Sequence, residues 1–345
     1  MFNMVRQPKH AWLRHYDRKD IENIIRIKLH NQTLSSKKTV TGISRDILTT
    51  LAYFDMFNYP LTRAETFVYL QQKHRRSDFE MALKCLVASQ FVYNFDSFYT
   101  LKNDMSIVSR RAAGNQKAAE LMKTARKVGQ FLIHFPYVRG IAISGSLSKN
   151  YADAGSDIDL FIITQKNRLW VARTLMHLFK KLTFLLQKQH CFCMNYYLDE
   201  QQMQIPEKNI YTAIEVITLI PLQGDAVFEQ FFVANSWTKD YLPNNYLRLS
   251  TAKPVKRNWF KQAVEFLLNN KLGDNVDKAL MKITDDRWRK KTIKKRVNMH
   301  GVILSMSAGR HYAKPDPVNF QPFLLNRYND KLNKLLQGSE SSVMY

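Results

Sequence analysis

Ile141-Ala-Ile-Ser-Gly-Ser-Leu-Ser-Lys-Asn-Tyr-Ala-Asp-Ala-Gly-Ser-Asp-Ile-Asp-Leu-Phe-Ile-Ile-Thr164 is the stretch on which the reading of this chain turns. An apolar run enters a Gly-Ser turn at Gly145 and Ser146, a short polar spacer follows, and a second apolar run opens with Asp157 and Asp159. Positions i and i+2 of a strand face the same way, so the two carboxylates aim together with Ile158 turned to the other side. Two hard oxygen donors on one face suit Mg2+ or Mn2+, and Mg2+ in particular prefers one or two carboxylates completed by substrate phosphates. A Gly-Ser turn lets backbone N–H groups come close to a phosphate, because glycine has no Cβ and the serine hydroxyl can donate. The plainer alternative is a turn before a strand with solvated acids. Two same-face acids on the otherwise apolar run 160–163 speak against it.

With these residues the chain resembles the nucleotidyltransferases of the DNA polymerase beta superfamily. Their signature is an apolar residue, Gly, Gly or Ser, a spacer of about this length, then Asp-apolar-Asp. Gly145, Ser146, Asp157 and Asp159 match it, and Ser156 before the first Asp is typical of it. The resemblance implies a mixed α/β core in which Asp157 and Asp159 hold the metals while Gly145, Ser146, Ser156 and Lys149 bind the nucleotide. It also implies a third acid on the third core strand, and here the sequence departs. A β-helix-β crossover makes the second and third strands parallel, which sets Cys193 or Asn195 level with the aspartates. Asn195 offers a carbonyl oxygen without charge and is a weak candidate ligand. Asp199 has the expected parity but lies at the far end. Without the third acid the site lacks one base for deprotonating a hydroxyl. An amine acceptor would not need it.

Around the motif, strands are expected at 138–144, 157–163 and 191–198, with helices at 168–186 and from Pro206 to before Pro221. Upstream, helical spacing of Ile43, Ile47, Leu48, Leu51 and Phe54, capping boxes at Thr62/Glu65 and Ser77/Glu80, and alternation through 91–101 read as three helices and a hairpin. That pattern resembles a winged helix-turn-helix. A long polar helix is expected at 107–135. The resulting division is a basic arm at 1–40 with one helix near 20–29, a winged-helix-like domain at 41–103, a connecting helix at 104–135, the nucleotidyltransferase core at 136–240 and a basic helical domain at 241–345.

The chain has 345 residues, 45% hydrophobic and 23% charged, which allows two or three ordinary globular domains. Lys and Arg number 52 against 29 Asp and Glu, a net charge of +23 that favours polyanionic partners: nucleotides, nucleic acid or an acidic surface. No stretch has the apolar length of a membrane span. Three cysteines and no apolar leader point to the reducing cytoplasm. His190, Cys191 and Cys193 lack a second His/Cys pair at ligand spacing, so zinc is not expected.

Lys149, Arg168 and Arg173 are the cations that could meet a triphosphate, and for Arg173 a plain helix charge is preferred. Glu215 could support the site. The run Arg287-Trp-Arg-Lys-Lys-Thr-Ile-Lys-Lys-Arg296 is either a solvated basic face or a wall for a nucleotide tail or nucleic-acid backbone, with Trp288 free to stack. In the winged region, Asp78, Glu80 and Asp96 sit where phosphate contacts would need cations, the third helix offers only Lys84, and the run 73–76 before it is the basic exception. The leading expectation is Mg2+-dependent transfer of a nucleoside monophosphate from a nucleoside triphosphate to an unidentified acceptor. A winged-helix DNA-binding regulator and a catalytically degenerate nucleotide-binding scaffold are the alternatives.

Overall fold

A computed structural model describes residues 42–185, 192–245, 252–254, 258–294, 306–315 and 320–341. The N-terminal arm with its expected helix, and Cys191, lie outside the described residues.

The first unit forms as its local signals require. Helix α1 (Gly42–Asp55) buries Ile47, Leu48, Leu51 and Phe54. Thr62 ends the two-residue strand β1 (Leu61–Thr62) and caps α2 (Arg63–Val68). Its hydroxyl accepts from the Glu65 N–H while the Glu65 carboxylate accepts from the Thr62 N–H, a complete capping box. The second expected box is absent. Helix α3 (Arg76–Ala88) starts two residues earlier than a Ser77 cap would set it, with no side-chain cap at Arg75. Ser77 turns to Asp78, and Glu80 pairs with Arg76. The hairpin of β2 (Tyr93–Phe95) and β3 (Phe98–Thr100) turns at Asp96, and β1 pairs with β3 to complete a three-stranded sheet. Helix α4 (Met105–Leu132) follows, capped by Asp104.

The second sheet is mixed, with strand order β7-β4-β5-β6-β9-β8. Strands β4 (Val138–Ile143) and β5 (Ile158–Thr164) are antiparallel and flank the four-residue helix α5 (Gly145–Ser148). Helix α6 (Leu169–Leu185) crosses over to β6 (Phe192–Asp199), which runs parallel to β5 as expected. Helix α7 (Ile210–Ile217) begins at an Asn209 cap, so Pro206 lies outside it. Strand β7 (Ile220–Gln223) pairs with β4. It carries Pro221 on the outermost strand, where a missing N–H costs least. Helices α8 (Asp225–Ala234), α9 (Thr238–Tyr241), α10 (Trp259–Leu268) and α11 (Lys271–Ile293) follow. An unforeseen hairpin, β8 (Met306–Ala308) and β9 (Tyr312–Pro315), then extends the sheet beyond β6. The last helix, α12 (Phe320–Ser341), leans on α1 through Tyr328.

Alternation along the strands separates two cores. Ile141, Ile143, Leu160 and Ile162 pack with Leu169, Trp170 and Met176 of α6 and with α4 and α11. Ala142, Phe161 and Leu198 face the other way, in a cluster that continues through α7 and α8 into α1–α3. Arg168 is reassigned by this packing. It is buried, its guanidinium donates to the Leu268 carbonyl (2.7 Å) and pairs with Asp274, and it fastens α11 to the sheet rather than meeting a phosphate. Glu265 of α10 similarly accepts from the Tyr137 N–H (2.7 Å) and from Arg139. Among the described residues no helix is long and apolar enough to cross a membrane.

Candidate functional site

The turn between β4 and α5 brings the motif together. Gly145 has φ +67°, and a Cβ there would lie 2.5 Å from Asp159 Oδ2, so the close approach of turn and carboxylate needs glycine on both counts. The ladder continues to the rim, where the Ser144 N–H donates to the Asp159 carbonyl (2.9 Å). Asp157 is exposed just before β5, Asp159 is half-buried two residues on, and both share the face of Phe161.

The third strand carries a feature absent from sequence periodicity. Asp159 lies beside Cys193 and Leu160 beside Met194, but Phe161 lies beside Tyr196, so Asn195 is an extra residue in a β-bulge. The bulge keeps Asn195 on the aspartate side and reverses the parity beyond it. Asn195 donates its amide N–H to Asp159 Oδ1 and so holds the carboxylate in place. Asp199 falls on the opposite face, fully buried. It accepts from the Asn167 N–H (2.8 Å) and the Gln201 N–H (2.9 Å) beside His311, which corrects the expected parity. Cys193 points its thiol at Asp157 Oδ2 (3.6 Å), and burial followed by the neighbouring acids raises its pKa.

Lys149 does reach the site. Its ammonium donates to the Gly145 carbonyl (3.1 Å) and to Glu215 Oε1 (2.8 Å), so it braces the turn and links α5 to α7. Ser146 follows Gly145 on α5 and lines a chamber together with Lys149. Ser156 instead closes the spacer, giving its hydroxyl proton to Asp153 and accepting from the Asp153 N–H (both 2.8 Å). Arg173 lies elsewhere, stacked 4.6 Å from the Trp288 ring centroid. Trp288 is itself buried against Trp170, so it offers no free stacking face.

Two chambers meet at Gly145, Tyr211 and Glu215. The first, about 280 Å3, also takes in Asp159, Asn195 and Lys314. The second, about 330 Å3, is walled by rings, Tyr53, Phe57, Tyr59 and Tyr151 among them, with Arg110 and Lys149. Tyr211 carries no mark in the sequence, and Lys314 reads there only as part of the positive run 310–314 without a role; they arrive from α7 and from the added hairpin.

The Asp159 carboxyl is pushed up to about 6, by burial first and then by the charges of Asp157 and Glu215, against the opposing pull of Lys149 and Asn195. Its folded pKa thus exceeds the ordinary value of about 3.9. The ionised group opposes folding, and its stability contribution is complete below about pH 4 and lost as pH rises through about 6. Asp159→Asn should therefore be more stable than the native chain above pH ~6 by about 1–3 kcal/mol and melt correspondingly higher, the difference closing below pH ~4. Thermal melts across that range in chelator check this; a constant difference at all pH values refutes it.

Among the described residues no three His, Cys, Asp or Glu side chains are grouped as a metal site. Two carboxylates are nevertheless the protein share expected for Mg2+ completed by substrate phosphates, and the mutual repulsion at Asp159 is what a cation would relieve. No protein-family model, curated protein or solved structure matches the chain.

Proposed function

We propose that the chain is a Mg2+- or Mn2+-dependent nucleotidyltransferase, with a nucleotidyltransferase core between a winged-helix-like unit and a basic helical region. In this reading it moves a nucleoside monophosphate from a nucleoside triphosphate to an acceptor and releases pyrophosphate. The observation that carries it is Asp159 seated against the Cβ-less Gly145, in a cluster of negative charge shared with Asp157 and Glu215. Asp157 and Asp159 would hold the divalent cation. When bound, the cation supplies positive charge against the phosphoryl oxygens of the transfer.

The chain's own residues do the rest. Gly145 and Ser146 present the turn to the phosphates, and Asn195 keeps Asp159 in place. Lys149 holds the turn carbonyl and balances Glu215. Glu215 is the carboxylate common to both chambers. It stands where an acceptor's proton could be received, since the third strand's acid, Asp199, lies on the opposite face.

Calorimetric titration with nucleoside triphosphates, with and without Mg2+, tests this on the native chain and on Asp157→Asn/Asp159→Asn. Metal-dependent binding by the native chain, lost in the double variant, is the expected result. Absence of binding by the native chain to every nucleotide, or binding indifferent to both aspartates, removes the proposal.

A further inference from the structure

The opposite face of the sheet carries a second concavity. Helices α6 and α11 cross where Trp170 meets Trp288, with ring centroids 5.9 Å apart, and where Asp277 accepts the N–H groups of Trp170 (2.8 Å) and Val171 (2.9 Å). Beside this crossing lies a groove of about 570 Å3 lined by Arg173 and Lys181 of α6 and by Arg287, Lys290 and Lys291 of α11, with Trp288 as part of its wall. Among the described residues no carboxylate lines it.

Among the described residues the positive charge of the lining is concentrated, and no ion pair to a carboxylate offsets it. Helix α6 contains no acidic residue. The aspartates of α11 are Asp274, Asp277, Asp285 and Asp286. The first pairs with Arg168, the second receives the α6 amides and the third pairs with Arg289. Residues 284, 287, 288 and 291 recur at helical spacing, as do 174, 177, 178 and 181, so each helix turns one continuous stripe to the groove. Arg173 is fixed by stacking on Trp288, which leaves little side-chain freedom to lose on binding.

We infer that this groove binds the phosphate backbone of a nucleic-acid strand. Lys, Arg and Thr side chains are the usual partners of phosphate oxygens, and Thr174 adds a hydroxyl to the same wall. A recess between two helices admits a chain of phosphates but not the flat headgroup plane of a bilayer. With the stacking face of Trp288 buried and no Asn, Gln, Asp or Glu in the lining, the contact is to the backbone and tolerant of sequence. The groove lies across the sheet from Asp157 and Asp159, so this binding does not depend on the nucleotide site.

The test is fluorescence anisotropy of the full chain with labelled single-stranded RNA, single-stranded DNA and duplex DNA over a salt series. Poly-glutamate and phosphatidylserine vesicles are run beside them. Expected is salt-sensitive strand binding that falls about 10- to 100-fold in Arg287→Gln/Lys290→Gln/Lys291→Gln, with the salt slope shallower by about 2. Asp157→Asn/Asp159→Asn retains the binding. Arg63→Gln/Arg75→Gln/Lys84→Gln removes equal charge from the α1–α3 unit and should bind as the native chain does. No binding by the native chain, an unchanged slope in the groove variant, an equal loss in the second triple variant, or preference for poly-glutamate or vesicles would each overturn the inference. Melting curves confirm that the variants are folded. Should the triple variant not fold, Lys181→Gln with Lys291→Gln gives the same readout with one cation removed from each helix.

Discussion

Gly145→Ala should lower Mg2+-dependent nucleotide affinity by about 100-fold, roughly 2.7 kcal/mol, while leaving the chain folded. Two effects act together. At φ +67° a Cβ costs about 1–2 kcal/mol of backbone strain. The new methyl would also lie 2.5 Å from Asp159 Oδ2, and the carboxylate, held from its other oxygen by Asn195, must move or the turn must open. Either motion separates the aspartate from the turn that faces the phosphates. Gly155→Ala is the matched control, since the nearest atom to a Cβ there is 3.9 Å away, and it should bind as the native chain does. Calorimetry on both variants decides it. Equal affinities for Gly145→Ala and Gly155→Ala would mean that the Gly145–Asp159 contact has no part in binding.

Trp170→Ala should cost the most stability of any single change considered, about 3–5 kcal/mol. Trp170 is fully buried, its ring meets Trp288 edge-on, and its indole N–H donates to the Gly309 carbonyl (3.0 Å) in the turn of the β8–β9 hairpin. One side chain thus joins α6, α11 and the sheet extension. Its loss leaves a cavity and an unpaired carbonyl in one step. A melting temperature lower by about 5–10 °C is expected. Nucleotide affinity at the far face of the sheet should stay near native in the folded fraction, while strand binding in the α6–α11 groove weakens. Nucleotide affinity falling in step with stability would show that the two faces are coupled.

Much of this was legible in the sequence because the governing interactions are local. The same-face placement of Asp157 and Asp159 follows from strand parity over three residues. The Gly145 turn follows from one residue's lack of Cβ, and the start of α2 from the reciprocal bonds of Thr62 and Glu65. Strands β4, β5 and β6 fall within a residue or two of their expected ends because apolar runs bounded by turn residues set them.

What only the tertiary structure decided depends on partners far apart along the chain. The Asn195 bulge, which sets an amide donor against Asp159 and sends Asp199 to the other face, exists only in the pairing of β6 with β5. Arg168 reads as a free cation until Leu268 and Asp274, a hundred residues away, enclose it. Trp288 reads as an exposed stacking ring until Trp170 covers it. Glu215 reaches Asp159 because α7 packs over the turn, and the basic groove exists because α6 and α11 cross. Local rules set which way a side chain leaves its own strand or helix. The burial and pairing that assign its role sum contacts over the whole chain, and no short stretch of sequence contains them.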